Sequence, residues 1–267
     1  MKLLITALSC LISVSVVGQN NKLDQLKAIL ILGEGDDKQE EILYFNKIAD
    51  LLDLNGWEVI KCYDNSITWE EVTLKGENAN VLIYQGHGIY WKDDGYGGFD
   101  LKTNVSRSDV RLDLNLNPEA LILFQSVCGG AGSSAGDNED IGIAEAKKRI
   151  INFSEPFFFS GAGAYFAINA NNGVFDFLTE FLNGETIDSI FNNSLSVFYN
   201  KEINEIFKDD KVISIASSDW GGEFTRTHTE WNNGKKTTTI EVLPSFKKYN
   251  IAYISNPNFN ILDLTLN

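Results

Sequence analysis

Apolar runs and turn residues divide this chain into alternating short strands and helices. Residues 27–32 read Lys-Ala-Ile-Leu-Ile-Leu, apolar on both faces, which predicts a buried strand ended by Gly33-Glu34-Gly35-Asp36-Asp37. Over residues 38–55, Ile42, Phe45, Ile48, Ala49 and Leu52 recur at helical spacing, and Gly56 stops that helix. Residues 57–63 predict a second strand, 69–74 a short helix or turn, 80–84 a third strand and 120–124 a fourth. Residues 141–151 predict an amphipathic helix, with Asp137 to Asp140 as capping and dipole partners. Phe157-Phe158-Phe159 opens a fifth strand-like run that continues past Gly161 and Gly163 to Ile168. Residues 174–182 and 187–199 predict two helices, and 212–216 a sixth strand. Strands apolar on both faces and alternating with helices predict an α/β fold, a mostly parallel sheet of about six strands covered by helices on both faces. The tail differs: residues 223–230 and 235–242 flank Asn232-Asn233-Gly234, the signal of a C-terminal β-hairpin serving as a sheet edge or a flap.

The chain has 267 residues and is 43% hydrophobic, enough for a core of its own. Residues 19–267 are read as a single domain, its core at 27–216 and its hairpin and tail at 217–267. Thirty-seven acidic against 22 basic residues give a net charge of −15, which disfavours nucleic acid and anionic membrane as partners. Lys147-Lys148-Arg149 lies on a predicted helix and reads as a solvated face.

Residues 1–18 read as an export signal: Lys2, an apolar stretch to Val17, then Gly18 before the cut. The stretch is too short to span a bilayer. The expectation is a secreted or periplasmic protein without membrane insertion. Removal of the signal takes Cys10 and leaves Cys62 and Cys128. A disulfide between them is one reading, since exported cysteines oxidise readily. A free thiol at Cys128 is the other.

Two turns carry the candidate chemistry. Val81-Leu82-Ile83 runs into Tyr84-Gln85-Gly86-His87-Gly88, and Leu121-Ile122-Leu123-Phe124 runs into Gln125-Ser126-Val127-Cys128-Gly129-Gly130. Each is a buried strand ending in a glycine turn that presents one reactive side chain. Ligands of parallel sheets bind at the carboxyl ends of strands. A cysteine thiol, with an ordinary pKa of about 8.5, is mostly protonated at neutral pH, and an imidazole near 6.5 can take that proton. The pair therefore suits acyl transfer, with Cys128 as nucleophile and His87 as general acid and base. Taken singly, Cys128 could be a small buried hydrophobe and His87 a satisfied strand-end histidine. The other histidine, His228, sits in the threonine-rich tail as a surface residue or pocket contact.

At these residues the chain resembles the caspase-like cysteine peptidase clan, which includes caspases, metacaspases, gingipains, clostripain-like enzymes and, most similar here, CHAT domains. In that clan a His-Gly pair ends the third strand and a cysteine ends the fourth, the places of His87-Gly88 and Cys128. Phe99-Asp100-Leu101, Ser106-Arg107-Ser108-Asp109-Val110 and Leu112-Asp113-Leu114 also resemble a CHAT domain, and the likeness covers roughly residues 27–200. It implies an exported cysteine endopeptidase with a Cys-His dyad and an oxyanion hole from the N–H groups of Gly88 and Cys128. Clan members that cut after basic residues often carry an acidic residue two before the cysteine, where this chain has Ser126. Basic specificity is therefore not implied. The usual tryptophan-proline after the fifth strand is replaced by Asn169-Ala170-Asn171-Asn172-Gly173. Substrate-pocket candidates by position are Ser126, Asp36, Asp100, Asp219 and Trp220.

The expected partner is a peptide or protein substrate, with no cofactor. Zinc would want more cysteine and histidine. Asp93, Asp94 and Asp100 could bind calcium, but their spacing does not match a calcium loop. The alternatives are an inactive caspase-like domain that binds a peptide or protein partner, and a disulfide-bonded exported binding domain.

Overall fold

The computed structural model describes residues 25–33, 38–64, 66–91, 95–194, 199–219, 224–232, 235–243 and 245–265. In chain order its elements are β1 (Lys27–Leu32), α1 (Lys38–Leu54), β2 (Glu58–Cys62), α2 (Trp69–Gly76), β3 (Ala79–Gln85), β4 (Gly88–Trp91), β5 (Gly95–Asp100) and β6 (Asn104–Val105). There follow α3 (Arg107–Asp113), β7 (Leu116–Gln125), α4 (Gly142–Phe159), β8 (Ala162–Ile168), α5 (Gly173–Leu182) and α6 (Ile187–Ser194). The chain closes with β9 (Asn200–Lys208), β10 (Lys211–Asp219), β11 (Phe224–Asn232), β12 (Lys235–Leu243), β13 (Lys247–Ser255) and a 3-10 turn at Ile261–Thr265.

The fold is mixed α/β around an eight-stranded sheet of order β2-β1-β3-β7-β8-β13-β10-β9. The first five of these strands run parallel. β13, β10 and β9 extend the sheet by antiparallel pairing. Alternate residues of each central strand serve opposite faces. Ile29, Ile31, Leu82, Tyr84, Ile122 and Phe124 pack on the side of α2, α3 and α4. Ala28, Leu30, Val81, Ile83, Leu121 and Leu123 pack on the side of α1, α5 and α6. Phe124 centres the first layer, its ring within 6.1 Å of the rings of Tyr84, Phe99, Phe153, Phe157 and Tyr165. Helix starts are set locally: Thr68 with Glu71, and Ser106 with Asp109, form reciprocal capping boxes for α2 and α3.

Several expectations change. The main sheet has eight strands rather than six. β9 reads Asn-Lys-Glu-Ile-Asn-Glu-Ile-Phe-Lys and is an exposed edge strand whose charges conceal it. β13 opens with two lysines yet is buried from Tyr249 onward. Phe157-Phe158-Phe159 ends α4 instead of opening a strand, because Ala146, Ile150, Phe153 and Phe157 continue one buried helical stripe. β8 starts only at Ala162. Asp137 and Asp140 divide the expected capping role: Asp140 accepts from the Gly142 N–H at 2.8 Å, whereas Asp137 pairs with Arg149. Arg149 is itself buried, so 147–149 is not wholly a solvated face. In the tail, β11 and β12 pair antiparallel as a separate two-stranded sheet, and residues 233–234 between them lie outside the described residues. The export signal also lies outside the described residues. Among the described residues no helix is long and apolar enough to cross a membrane.

Removing the ring at the centre of the aromatic layer leaves a cavity bordered by stiff neighbours. Phe124→Ala is expected to cost about 3–5 kcal/mol, read as a lowered urea midpoint with an unchanged slope.

Candidate functional site

β3 and β7 are adjacent and parallel, with Tyr84 opposite Phe124 and Gln85 opposite Gln125. Both chains therefore leave the sheet at one edge and at one level. Beyond that edge their backbones touch. A Cβ on Gly88 would collide with the carbonyl oxygen of Cys128, so only glycine allows this approach. Tyr84 fixes the first turn from below: its buried hydroxyl donates to the His87 carbonyl at 2.8 Å and accepts from the Asp100 N–H at 3.0 Å. Burial pushes the Tyr84 hydroxyl well above the usual phenol range, so it stays a donor. The His87 side chain is exposed, while the Cys128 side chain is half-buried and free. Among the described residues no hydrogen bond joins imidazole to thiol, and the sulfur accepts from the Ala135 N–H at 3.5 Å.

The second turn is more heavily built. Ser126 takes φ +55°, a left-handed conformation costing roughly 1–3 kcal/mol for a non-glycine residue. Its N–H donates to the Ile168 carbonyl, and its Oγ accepts from Gln125 Nε2 at 2.9 Å. Gln125 is buried and satisfied: it also donates to the Ala170 carbonyl and accepts from the Val174 N–H and the Tyr44 hydroxyl. After Cys128 the chain turns tightly, with Gly130 N–H on the Val127 carbonyl and Gly129 N–H on the Ser133 carbonyl. Tyr165 donates to the Gly130 carbonyl from within the core. Arg149 and Asp137 form a buried ion pair beneath the loop, and Asp137 also accepts from the Ser134 N–H. Among the described residues no acceptor lies within hydrogen-bond reach of the Cys128 N–H.

A crevice of about 280 Å³ opens beside the thiol, lined by Ser126, Cys128, Ser134, Asn169, Lys248 and Asn250 among others. β13 runs antiparallel to β8, which brings its first residues to this edge, and the Asn169 N–H bonds the Asn250 carbonyl at 2.7 Å. Lys248 is half-buried. Burial lowers its pKa, partly offset by attraction to Asp137. A larger cavity of about 880 Å³ lies at the opposite ends of the strands, against Lys27, Trp57 and Asn80, and is lined by no cysteine or histidine.

The structure thus brings His87, Gly88, Ser126 and Cys128 to one sheet edge. Asp100 ends β5 and meets that edge through its backbone, next to Tyr84 and Gly33. Asp219 is exposed at the end of β10, opposite Lys247. Asp36, Trp220, Asp93 and Asp94 lie outside the described residues, as does the side chain of His228. Tyr84, Gln125, Asn169, Lys248 and Asn250 did not stand out in the sequence. Asn169 could have been found as the polar residue ending an apolar strand, as Gln125 ends its own.

A Cys62–Cys128 bridge is excluded by topology, and both thiols are free. Cys62 pairs with Ile31, Ile31 with Tyr84 and Tyr84 with Phe124, so three inter-strand steps separate β2 from β7. That is roughly 14 Å at about 4.8 Å per step, twice the reach of a disulfide. Among the described residues no cluster of three histidine, cysteine or carboxylate side chains could hold a metal ion. No protein-family model matches the chain, and no curated protein sequence is significantly similar to it.

Burial holds the Cys62 thiol up at about 11. Native alkylation at pH 8, mapped by mass spectrometry, is expected to modify Cys128 and spare Cys62 until the chain is unfolded. Gln125→Ala strips partners from the Ala170 carbonyl and Val174 N–H and is expected to cost about 2–4 kcal/mol, with a slower Cys128 alkylation profile as Ser126 relaxes.

Proposed function

We propose that the protein is an exported cysteine endopeptidase of the caspase-like type, with Cys128 as nucleophile and His87 as general acid and base. The carrying observation is the contact of the Gly88 and Cys128 backbones beyond the paired ends of β3 and β7. It supports a reading in which His87, the residue before Gly88, and the thiol of Cys128 work at one sheet edge, following the third and fourth strands of the main sheet as in the clan that the sequence resembles. The β11–β12 pair is then its C-terminal hairpin.

A peptide lying across this edge supplies the carbon that joins the two groups. His87 accepts the thiol proton as Sγ attacks the scissile carbonyl carbon. The carbonyl oxygen becomes an oxyanion and accepts from the N–H groups of Cys128 and Gly88. Each such donor is worth roughly 3–4 kcal/mol in the transition state. The C–N bond breaks and His87 returns the proton to the departing amine, leaving a thioester. Water, deprotonated by His87, then attacks the thioester; the C–S bond breaks, the thiol regains its proton and a carboxylic acid leaves. No cofactor is needed. The turn hydrogen bonds matter here because the donor positions are fixed before substrate arrives.

The second reading is an inactive relative that binds a peptide or protein in the same crevice. The exposed His87, without a hydrogen bond to Cys128, favours it. Activity decides between the two. Cys128→Ala and His87→Ala are each expected to lower peptide hydrolysis by at least about 10³-fold while circular dichroism and unfolding midpoints stay near those of the parent. A chain that cleaves no member of a diverse peptide library, yet binds peptides equally with either variant, is the binding module.

A further inference from the structure

The cavity of about 880 Å³ lies at the far end of the sheet from Cys128 and shares no lining residue with the crevice there. Its volume falls in the range of small-molecule sites, roughly 300–1,000 Å³. Several elements meet at it. β1 and β2 begin at Lys27 and Glu58, α1 ends at Leu54 and α2 ends at Gly76. The residues that follow the two helices, Asn55 and Gly56 after α1 and Glu77 and Asn78 after α2, all line the cavity.

These elements bring acceptors in surplus. The C-terminal end of a helix carries a partial negative charge of about half an elementary charge. α1 has no basic residue in its last turn to offset it, and the one in α2, Lys75, sits 4.0 Å from Glu71. Glu58 and Glu77 add two exposed carboxylates, and among the described residues neither makes an ion pair or a side-chain hydrogen bond. The amides beside them spend donors on the protein. Gln25 Nε2 donates to the Gly56 carbonyl at 3.1 Å, and Asn55 Nδ2 to the Leu51 carbonyl at 2.8 Å. Their own carbonyl oxygens remain acceptors. The wall already holds one ammonium: Lys27 Nζ donates to the Glu77 carbonyl, just past the end of α2, at 2.8 Å. One lysine against two carboxylates and two helix ends leaves the lining negative. The wall is also fixed. Buried Asn80 accepts from the Lys27 N–H at 2.9 Å and donates to the Leu264 carbonyl at 3.1 Å, tying β1, β3 and the 3-10 turn together. A preformed wall lowers the cost of binding.

We propose that this cavity binds a linear oligoamine, a flexible organic cation with several charges along its length. Ammonium groups donate and never accept, which suits such a lining. The acceptors come from separate elements: Glu58 from β2, Glu77 from the end of α2 and Asn55 from the end of α1. Charges spread along a chain match that layout better than a compact ion does. The site does not depend on the Cys128–His87 reading.

The test titrates spermidine into the full chain at low ionic strength by isothermal calorimetry, with octanediol as an uncharged match of similar length. One spermidine is expected per chain, bound at least about tenfold more tightly than octanediol. Glu58→Gln combined with Glu77→Gln is expected to weaken spermidine about three- to tenfold, the reach of two exposed ion pairs. Glu139→Gln combined with Glu185→Gln removes the same charge from exposed positions outside the cavity and is expected to change affinity less than about twofold. Deuterium exchange places the ligand: spermidine is expected to slow exchange at residues 52–58 and 76–80. No binding, equal binding of octanediol, equal weakening by the two pairs of substitutions, or protection only elsewhere overturns the site. The exchange map needs no variant, so it decides even if a substituted chain does not fold.

Discussion

The in-register parallel pairing of β3 and β7 is the constraint on which the rest depends. Parallel neighbours must end at the same edge, and pairing Gln85 with Gln125 makes them end at the same level. A shift of one residue in β3 would turn Tyr84 to the opposite face from Phe124. That would break the aromatic layer under α4 and remove the hydroxyl that holds the His87 carbonyl. The hydrophobic layer thus sets the register, and the register sets the site. Gly88 completes the arrangement by letting the two turns come together where any side chain would part them.

The turn after β7 is held from several sides at once. Tyr165 reaches it from the next strand, Tyr249 from β13, and Arg149 from α4 through Asp137 and the Gly132 carbonyl. A buried ion pair contributes little net stability, but losing one partner strands the other charge. Such a pair suits a loop that must keep one conformation. Ser126 in its left-handed conformation shows that the loop carries local strain that the surrounding bonds offset. The hydrogen bonds around Gln125 tie that strain to α1 through Tyr44 and to α5 through Val174. The helices on one face of the sheet therefore also support the edge that carries Cys128.

What the sequence makes legible follows from periodicity. β1, α1, β2, β3 and α5 are visible because their apolar residues are contiguous or helically spaced, and the glycine turns mark where the strands stop. Phe157-Phe158-Phe159 misleads because three like residues have no period; only the residues a turn or two earlier show that Phe157 belongs to a helix. β9 is hidden by solvent-facing charges and β13 by its opening lysines, so the antiparallel half of the sheet is the less readable half. The candidate nucleophile and base are readable as turn residues. The crevice beside Cys128 is not, since Lys248 reaches it only through the long-range pairing of β13 with β8.

The two thiols show how one fold gives the same side chain different fates. Cys62 ends β2 facing the core against α2, where desolvation holds its proton and nothing can approach. Cys128 lies past its strand, in a turn, at the side of an open crevice, and a backbone amide is available at its own position. A buried structural cysteine needs neither a left-handed serine nor a buried ion pair beneath its loop. The nucleophile proposed for Cys128 would need its sulfur held in one place, and a loop bonded from several sides supports that reading. The left-handed Ser126 and Cys128 both line the crevice at this edge.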